Sequence, residues 1–506
     1  MAYRWYYRFF ALDDFKITPK LTVNIGLRYE LAPYWSEHND HIALFDTANG
    51  KIVVPDKGLS TVSPFMPTSY VQTVGASSVG LPQTLMYTDT DNFAPRIGLA
   101  YRPWGTRTVF RAGFGIFYNE TPYPGYSFGS TVPFIVSLPA YTNPASAPTV
   151  VLPRVFPASG AGGPSTVSLP AAINSHLPMP YSEQYNLTIE HERWNTGFRM
   201  SYVGTDSRQD TFSYDINSPI PNAQPFIDKT RPFPNYPNTY YNTNGAYHEY
   251  NGLTLQATRE MKGGLYYQAN YTWARDMSNY DWDGNYTSPE DPFNFKRDKA
   301  VDQVIPTSRF SASLLYWLPF GRGRHWLSGT SKAWNDVVGG WQLSGILTLQ
   351  SGQNLTAEWC GDDPVGTTYT TSSPAQVCIR PNVNGNPNSG APGTIGQWFN
   401  TGVFSAPTLG QFGTAAAGDI KGPGINLLDA GLMKEFYLTG RETGPRLQLQ
   451  LTATNFANHP NWSNPDTTVT DGSSFGTISG VGGVNGGSVG DVPGPREFLL
   501  FVQIKW

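Results

Sequence analysis

Apolar and polar residues alternate with period two along most of the chain. Within residues 20–30, Leu21, Val23, Ile25, Leu27 and Tyr29 fall on one side and Thr22, Asn24, Gly26, Arg28 and Glu30 on the other. Successive strand side chains point to opposite faces, so this pattern describes a strand between an apolar and a polar environment. It recurs with Phe110, Ala112, Phe114, Ile116 and Tyr118; with Tyr185, Leu187 and Ile189; with Leu253, Leu255 and Ala257; and with Leu265, Tyr267, Ala269, Tyr271 and Trp273. Trp341, Leu343, Leu347 and Leu349, then Leu447, Leu449 and Leu451, continue it. The pattern predicts thirteen strands, at about 3–16, 20–33, 92–103, 107–119, 181–192, 196–206, 247–261, 265–278, 305–318, 339–353, 425–437, 446–458 and 496–506.

The connectors carry as much information as the strands. Short ones stand at Thr18-Pro19-Lys20, Trp104-Gly105-Thr106, Arg193-Trp194-Asn195 and Lys262-Gly263-Gly264. Long polar ones alternate with them at about 34–91, 120–180, 207–246, 279–304, 354–424 and 459–495, and the connector near 319–338 is the least regular. Short periplasmic turns alternating with long extracellular loops are the rhythm of an outer-membrane barrel. Strands of about 10–13 residues also suit a tilted membrane crossing better than the roughly 5–6 residues usual in a soluble sheet. In lipid every backbone amide must be paired, so strands can cross only as a closed barrel. The competing soluble sandwich or propeller would bury its apolar faces and would need neither a second, polar face on nearly every strand nor such long loops. Tyr118, Trp273, Trp317 and Trp341 stand at predicted strand ends, where barrels place aromatic girdles.

The chain ends on Phe498, Leu500, Val502, Ile504 and Trp506, an unbroken alternate apolar series finishing on an aromatic residue. It resembles the C-terminal strand signal that the barrel-assembly machinery reads in bacterial outer-membrane proteins; the plainer alternative is an ordinary last strand. An odd strand count, with both the first and the last strand running inward, conflicts with the even number of bacterial single-chain barrels. The expectation is the C-terminal portion of a larger barrel.

Composition sharpens this picture. Only 14% of the 506 residues are charged, against roughly 25% in ordinary domains, while aromatics also reach 14%. A net charge of −4 gives no electrostatic basis for binding nucleic acid. The 52 glycines and 42 prolines argue against a helical bundle. No run of 18 apolar residues offers a membrane helix. The N-terminus, interrupted by Arg4 and Arg8, does not read as a signal peptide.

Several segments together resemble the C-terminal barrel of TonB-dependent receptor-like transporters of the Oar-like type. They are YNGLTLQATREMKGGLYYQANYTWARDMSN, RFSASLLYWLPFGRGR, GGWQLSGILTLQSGQNLT, IKGPGINLLDAGLMKEF, LTATNFANHPNWSNPDTT and the aromatic C-terminus. The resemblance implies an all-β, antiparallel transmembrane barrel of 22 strands, of which these thirteen would be the last. Residues 1–506 would then be one barrel domain in the bacterial outer membrane, without the family's plug domain, TonB box or signal peptide. It further implies uptake of a nutrient caught by extracellular loops, driven by the TonB complex through the plug that this chain lacks. The partners would be outer-membrane lipid, the barrel-assembly machinery and an extracellular ligand; Tyr-, Asn-, Thr- and Trp-rich loops suit an oligosaccharide or peptide. A passive porin-like channel or a surface adhesin, independent of TonB, is the alternative, and a secreted carbohydrate-active enzyme is a third.

Candidate chemistry is sparse. Cys360 and Cys378 lie in one loop-like stretch without a CxxC or a histidine pair, which argues against zinc and leaves a local disulfide or two free thiols. Of His38, His41, His176, His191, His248, His325 and His459 only the first two are neighbours. Asp281, Asp283 and Asn285 imitate the start of a calcium loop, but Tyr286 and Pro292 stand where glycine and glutamate belong. Arg322 and Arg324 lie in a glycine turn without a phosphate-loop pattern, and Asp362-Asp363 read as turn formers. The expectation is no enzyme, no cofactor, no metal and no catalytic residue.

Overall fold

The computed structural model describes residues 2–64, 66, 71–119, 127–128, 132–135, 146, 169–234, 236, 238–280, 289–370, 375–438, 444–481 and 494–506. Thirteen long strands form the wall: β1 (Tyr7–Thr18), β2 (Leu21–Leu31), β3 (Phe93–Tyr101), β4 (Thr108–Tyr118), β5 (Tyr181–Arg193), β6 (Thr196–Asp215), β7 (Tyr240–Lys262), β8 (Leu265–Ser278), β9 (Ser308–Trp317), β10 (Trp341–Gln350), β11 (Ile425–Tyr437), β12 (Arg446–Thr454) and β13 (Glu497–Lys505). Each pairs antiparallel with the next, from β1–β2 through β12–β13. Among the described residues no ladder joins β1 to β13, so the sheet is a continuous meander with two free edges. No described helix is long and apolar enough to cross a membrane.

Register sorts the side chains into two faces. Ile25, Ile97, Phe114 and Tyr185 stand opposite one another on one face, and Asn24, Gly98, Gly113 and Asn186 on the other. Ile25, Leu27, Ile97, Leu187, Leu255, Trp273, Leu314, Leu343, Leu451 and Leu500 all lie on the first face, and all are exposed. In water each such aliphatic side chain would forgo roughly 1.5–3 kcal/mol of burial, so this face is built for lipid. The series Phe110 to Tyr118 spans eight residue steps, about 26 Å of strand and ~20 Å once tilted by about 40°, near the roughly 25 Å apolar band of such barrels.

The turns follow from local chemistry. Trp194 and Asn195 both have positive φ, as do Gly263 and Gly264. Two consecutive positive-φ residues make the type I′ turn whose twist matches a tight hairpin. The irregular connector contains a short helix, Lys332–Val338, capped by Ser331, whose hydroxyl accepts from the Trp334 amide.

Two expectations need correction. The predicted loop 207–246 is much shorter, because β6 runs on to Asp215 and β7 begins at Tyr240. Two register irregularities near Ser207, Asp210 and Thr211 break the alternation while the ladder continues; a hairpin past the lipid no longer needs a greasy side. Trp317 pairs with Gln342 on the polar face, so it does not belong with Trp273 and Trp341 on the lipid side.

Candidate functional site

The polar face of the sheet is a hydrogen-bonded wall. Thr188, Ser201, Thr254 and Thr272 stand in one row across β5, β6, β7 and β8. The hydroxyls of Thr188 and Ser201 are 3.0 Å apart, and those of Thr254 and Thr272 3.1 Å. Toward the turn end Glu190 accepts from Arg111 at 3.2 Å and from the Arg199 Nε at 2.9 Å. Glu190 and Arg199 edge an open cavity of about 720 Å³ that also touches Gln256 and Thr258. Nearer β1, Gly26, Gly98, Gly113 and Gly115 floor a groove of about 270 Å³. Asn24 and Asn186 lie against Gly98 and Gly113, and the Arg96 guanidinium stacks over the Phe117 ring at 4.3 Å. The edge strands depart from this polarity. Phe10 and Leu12 of β1 and Leu499 and Phe501 of β13 are exposed on the polar face.

The best-buried part of the molecule lies in the long loops, not in the wall. Ile42, Leu44, Val53, Leu85, Met86 and Leu177 form one cluster, closed by the Tyr34 hydroxyl donating to the Leu177 carbonyl at 2.5 Å. Phe45, Ile52, Val54 and Phe134 form a second. The loop strand Ala172–Ile173 pairs with both Tyr241–Asn242 of β7 and Phe45, stitching these loops to the wall. Leu355, Phe399, Phe404 and Ile420 form a third cluster, in which Phe475 meets Phe399 edge-on at 5.2 Å.

A buried ion network ties two more loops together. Arg380 donates from Nε to Glu290 at 2.8 Å and from Nη2 to Asp298 at 2.7 Å, and Arg297 reaches the same Glu290 at 2.9 Å. Burial pushes the Glu290 carboxyl up, but Arg380, by charge and hydrogen bonds, and Arg297 outweigh it and hold the group below its ordinary value. Burial pushes Asp298 up to about 6, with Arg380 pulling down and Glu290 pushing up. Burial likewise takes Asp419 to about 6.

Cys360 and Cys378 face each other in the hairpin of Trp359–Asp362 and Gln376–Ile379, with Cα atoms 4.1 Å apart and sulfurs bonded. Phe498, Leu500, Val502 and Ile504 lie on the lipid face opposite Ala453, Leu451, Leu449 and Leu447, and Trp506 is 95% exposed beyond β13. The calcium-like stretch 281–285 lies outside the described residues. Asp363 is a turn former: its carboxylate accepts from the amides of Val365, Gly366, Thr367 and Thr368. Two arrangements escaped sequence reasoning, because their members are far apart and share no motif. One is the Arg380 network. The other brings His248 together with Asp276 and Asp302.

The family described as outer membrane beta barrel domain matches residues 1–489. The chain belongs to this family. It is a bacterial outer-membrane protein, and its two-faced meander is the wall of such a domain. No curated protein matches the sequence. Among solved structures the chain is similar to the siderophore receptor PiuA from Acinetobacter baumannii, at 10% identity and a TM-score of 0.41, covering 99% of this chain and 43% of that one. It is similar to BauA, the ferric preacinetobactin receptor of the same organism, at 11% and 0.40, covering 98% and 42%. It is similar to the copper transporter OprC at 12% and 0.39, covering 99% and 49%. The chain thus spans less than half the length of these proteins, and the family match carries the assignment.

Proposed function

We propose that this chain is the wall and outer loop layer of a TonB-dependent receptor-like transporter, which binds a nutrient at its extracellular loops and passes it to the periplasm. The observation that carries the reading is a polar, hydroxyl-lined inner face lying beneath loops that have hydrophobic cores of their own. A passive channel needs the polar face only; a receptor also needs a shaped outer surface. Two free sheet edges, with Phe10, Leu12, Leu499 and Phe501 exposed on the inner face, suit a wall completed by further strands and filled by a plug body. The TonB complex would act through that plug. The ligand class favoured by the loops is an oligosaccharide or peptide, held by stacking and hydrogen bonds.

The test is whole-cell uptake of fluorescent oligosaccharides and peptides by the full-length gene product, with and without TonB. Uptake that disappears without TonB supports the transporter. Uptake that persists without TonB contradicts it and favours a passive channel.

A further inference from the structure

His248, Asp276 and Asp302 converge from three chain segments. His248 is on β7, directly opposite Ser278 of β8. Asp276 precedes Ser278 by two residues and so shares its face. Asp302 follows the short strand Ala300–Val301, which pairs with β8, and its amide donates to the Asp276 carbonyl at 3.0 Å. One ligand atom from each of the three side chains lies within 4.8 Å of the others.

Three details distinguish this group from a solvated acidic patch. The Asp276 Oδ1 atom is buried and has no hydrogen-bond partner among the described residues. Ser278, beside it on the same face, is wholly buried, and its hydroxyl also lacks a partner among the described residues. Such orphaned polar atoms are costly unless a bound ion or water satisfies them. Asp302 is itself buried, and one of its carboxylate oxygens accepts from the amides of Val304 and Ile305, which fixes its orientation. The only other comparable group among the described residues contains Cys360 and Cys378, whose sulfurs are bonded to each other.

We propose that His248, Asp276 and Asp302 form a binding site for one divalent first-row transition metal, zinc being the best fit. One imidazole and two carboxylates make a mixed nitrogen and oxygen donor set, which suits a borderline cation better than calcium, whose ligands are oxygens. The two carboxylates match the ion's charge. At metal–ligand distances of about 2.1 Å a tetrahedral site needs ligand atoms roughly 3.4 Å apart. The three ligand atoms already lie within 4.8 Å of one another, and a water or the Ser278 hydroxyl would complete the shell. The metal clasps the end of the fourth outer loop to the rim of β7 and β8, and so steadies the mouth of the inner face. This site does not depend on the transporter reading.

The test is calorimetric titration of Zn²⁺ into the detergent-purified full chain after chelator treatment, with Co²⁺ absorption reporting the donor set. One equivalent should bind, and His248→Ala and the isosteric Asp276→Asn should each weaken binding at least tenfold. His325→Ala, in the opposite connector, should leave it unchanged. Heat-modifiable migration of each variant separates loss of the site from loss of the fold. Absence of stoichiometric binding, or binding that His248→Ala and Asp276→Asn leave intact in folded protein, overturns the proposal.

Discussion

Arg380 holds Glu290 from both backbone and side chain: its amide donates to Oε1 at 2.6 Å and its guanidinium to Oε2 at 2.5 Å. The two residues belong to different outer loops, ninety positions apart. Replacing Arg380 by Gln leaves Glu290 and Asp298 buried without their main counter-charge. Breaking one side of a buried pair costs about 3–5 kcal/mol. Limited proteolysis should therefore open residues 289–302 and 375–381 while the strands stay protected. Unchanged cleavage would mean that the hydrophobic loop clusters alone hold these segments.

The same region should soften as pH rises. Burial keeps the Asp298 and Asp419 carboxyls protonated up to about 6 in the fold, above their ordinary 3.8. A raised carboxyl stabilises fully below its unfolded value and loses that contribution as pH climbs through the folded value. Glu290 acts in the opposite sense, contributing above its ordinary value and losing that contribution only as pH falls through its lowered one. Hydrogen exchange, corrected for its intrinsic pH dependence, should thus show less protection around residues 295–302 and 415–421 at pH 7 than at pH 5. The double variant Asp298→Asn, Asp419→Asn should flatten that slope; a persistent slope would place the titration elsewhere.

The Cys360–Cys378 link closes a loop with a sequence separation of 18, for which constraint of the unfolded chain predicts about 3 kcal/mol. Serine at both positions should speed proteolysis within 355–380 without altering heat-modifiable migration. Two titratable thiols in oxidised protein would contradict the link.

On β13 the two faces should respond differently to charge. Leu500→Arg places a cation in lipid, at about 2–4 kcal/mol near the midplane, whereas Gln503→Arg on the inner face should be close to neutral. Membrane-inserted protein should fall for the first variant and not the second. Equal losses would assign β13 no lipid side.

The thirteen strands were legible because each must satisfy two solvents at once, and that demand is written at period two. Legibility stopped where the demand stops. Past residue 206 the β6–β7 hairpin continues on backbone hydrogen bonds with register irregularities, and no alternation announces it. At the last position of β9, Trp317 looked like a girdle residue, but register turns it inward. The loop layer was unreadable for a different reason. Phe399, Phe404 and Phe475 meet only after two loops fold together, and no local spacing encodes that meeting. His248 and Asp276 are likewise brought together by ladder register, and Asp302 by the short strand before it.

The central claim is that one face of the meander meets lipid and the other meets water. Its most direct test is a spin-label scan of single cysteines along Thr108–Tyr118 in reconstituted bilayers, with Cys360 and Cys378 replaced by serine. Positions 110, 112, 114 and 116 should be accessible to oxygen, which partitions into lipid. Positions 111, 113, 115 and 117 should be accessible to a water-soluble nickel complex. Accessibility alternating in this way supports the account; profiles without alternation along the strand would contradict it.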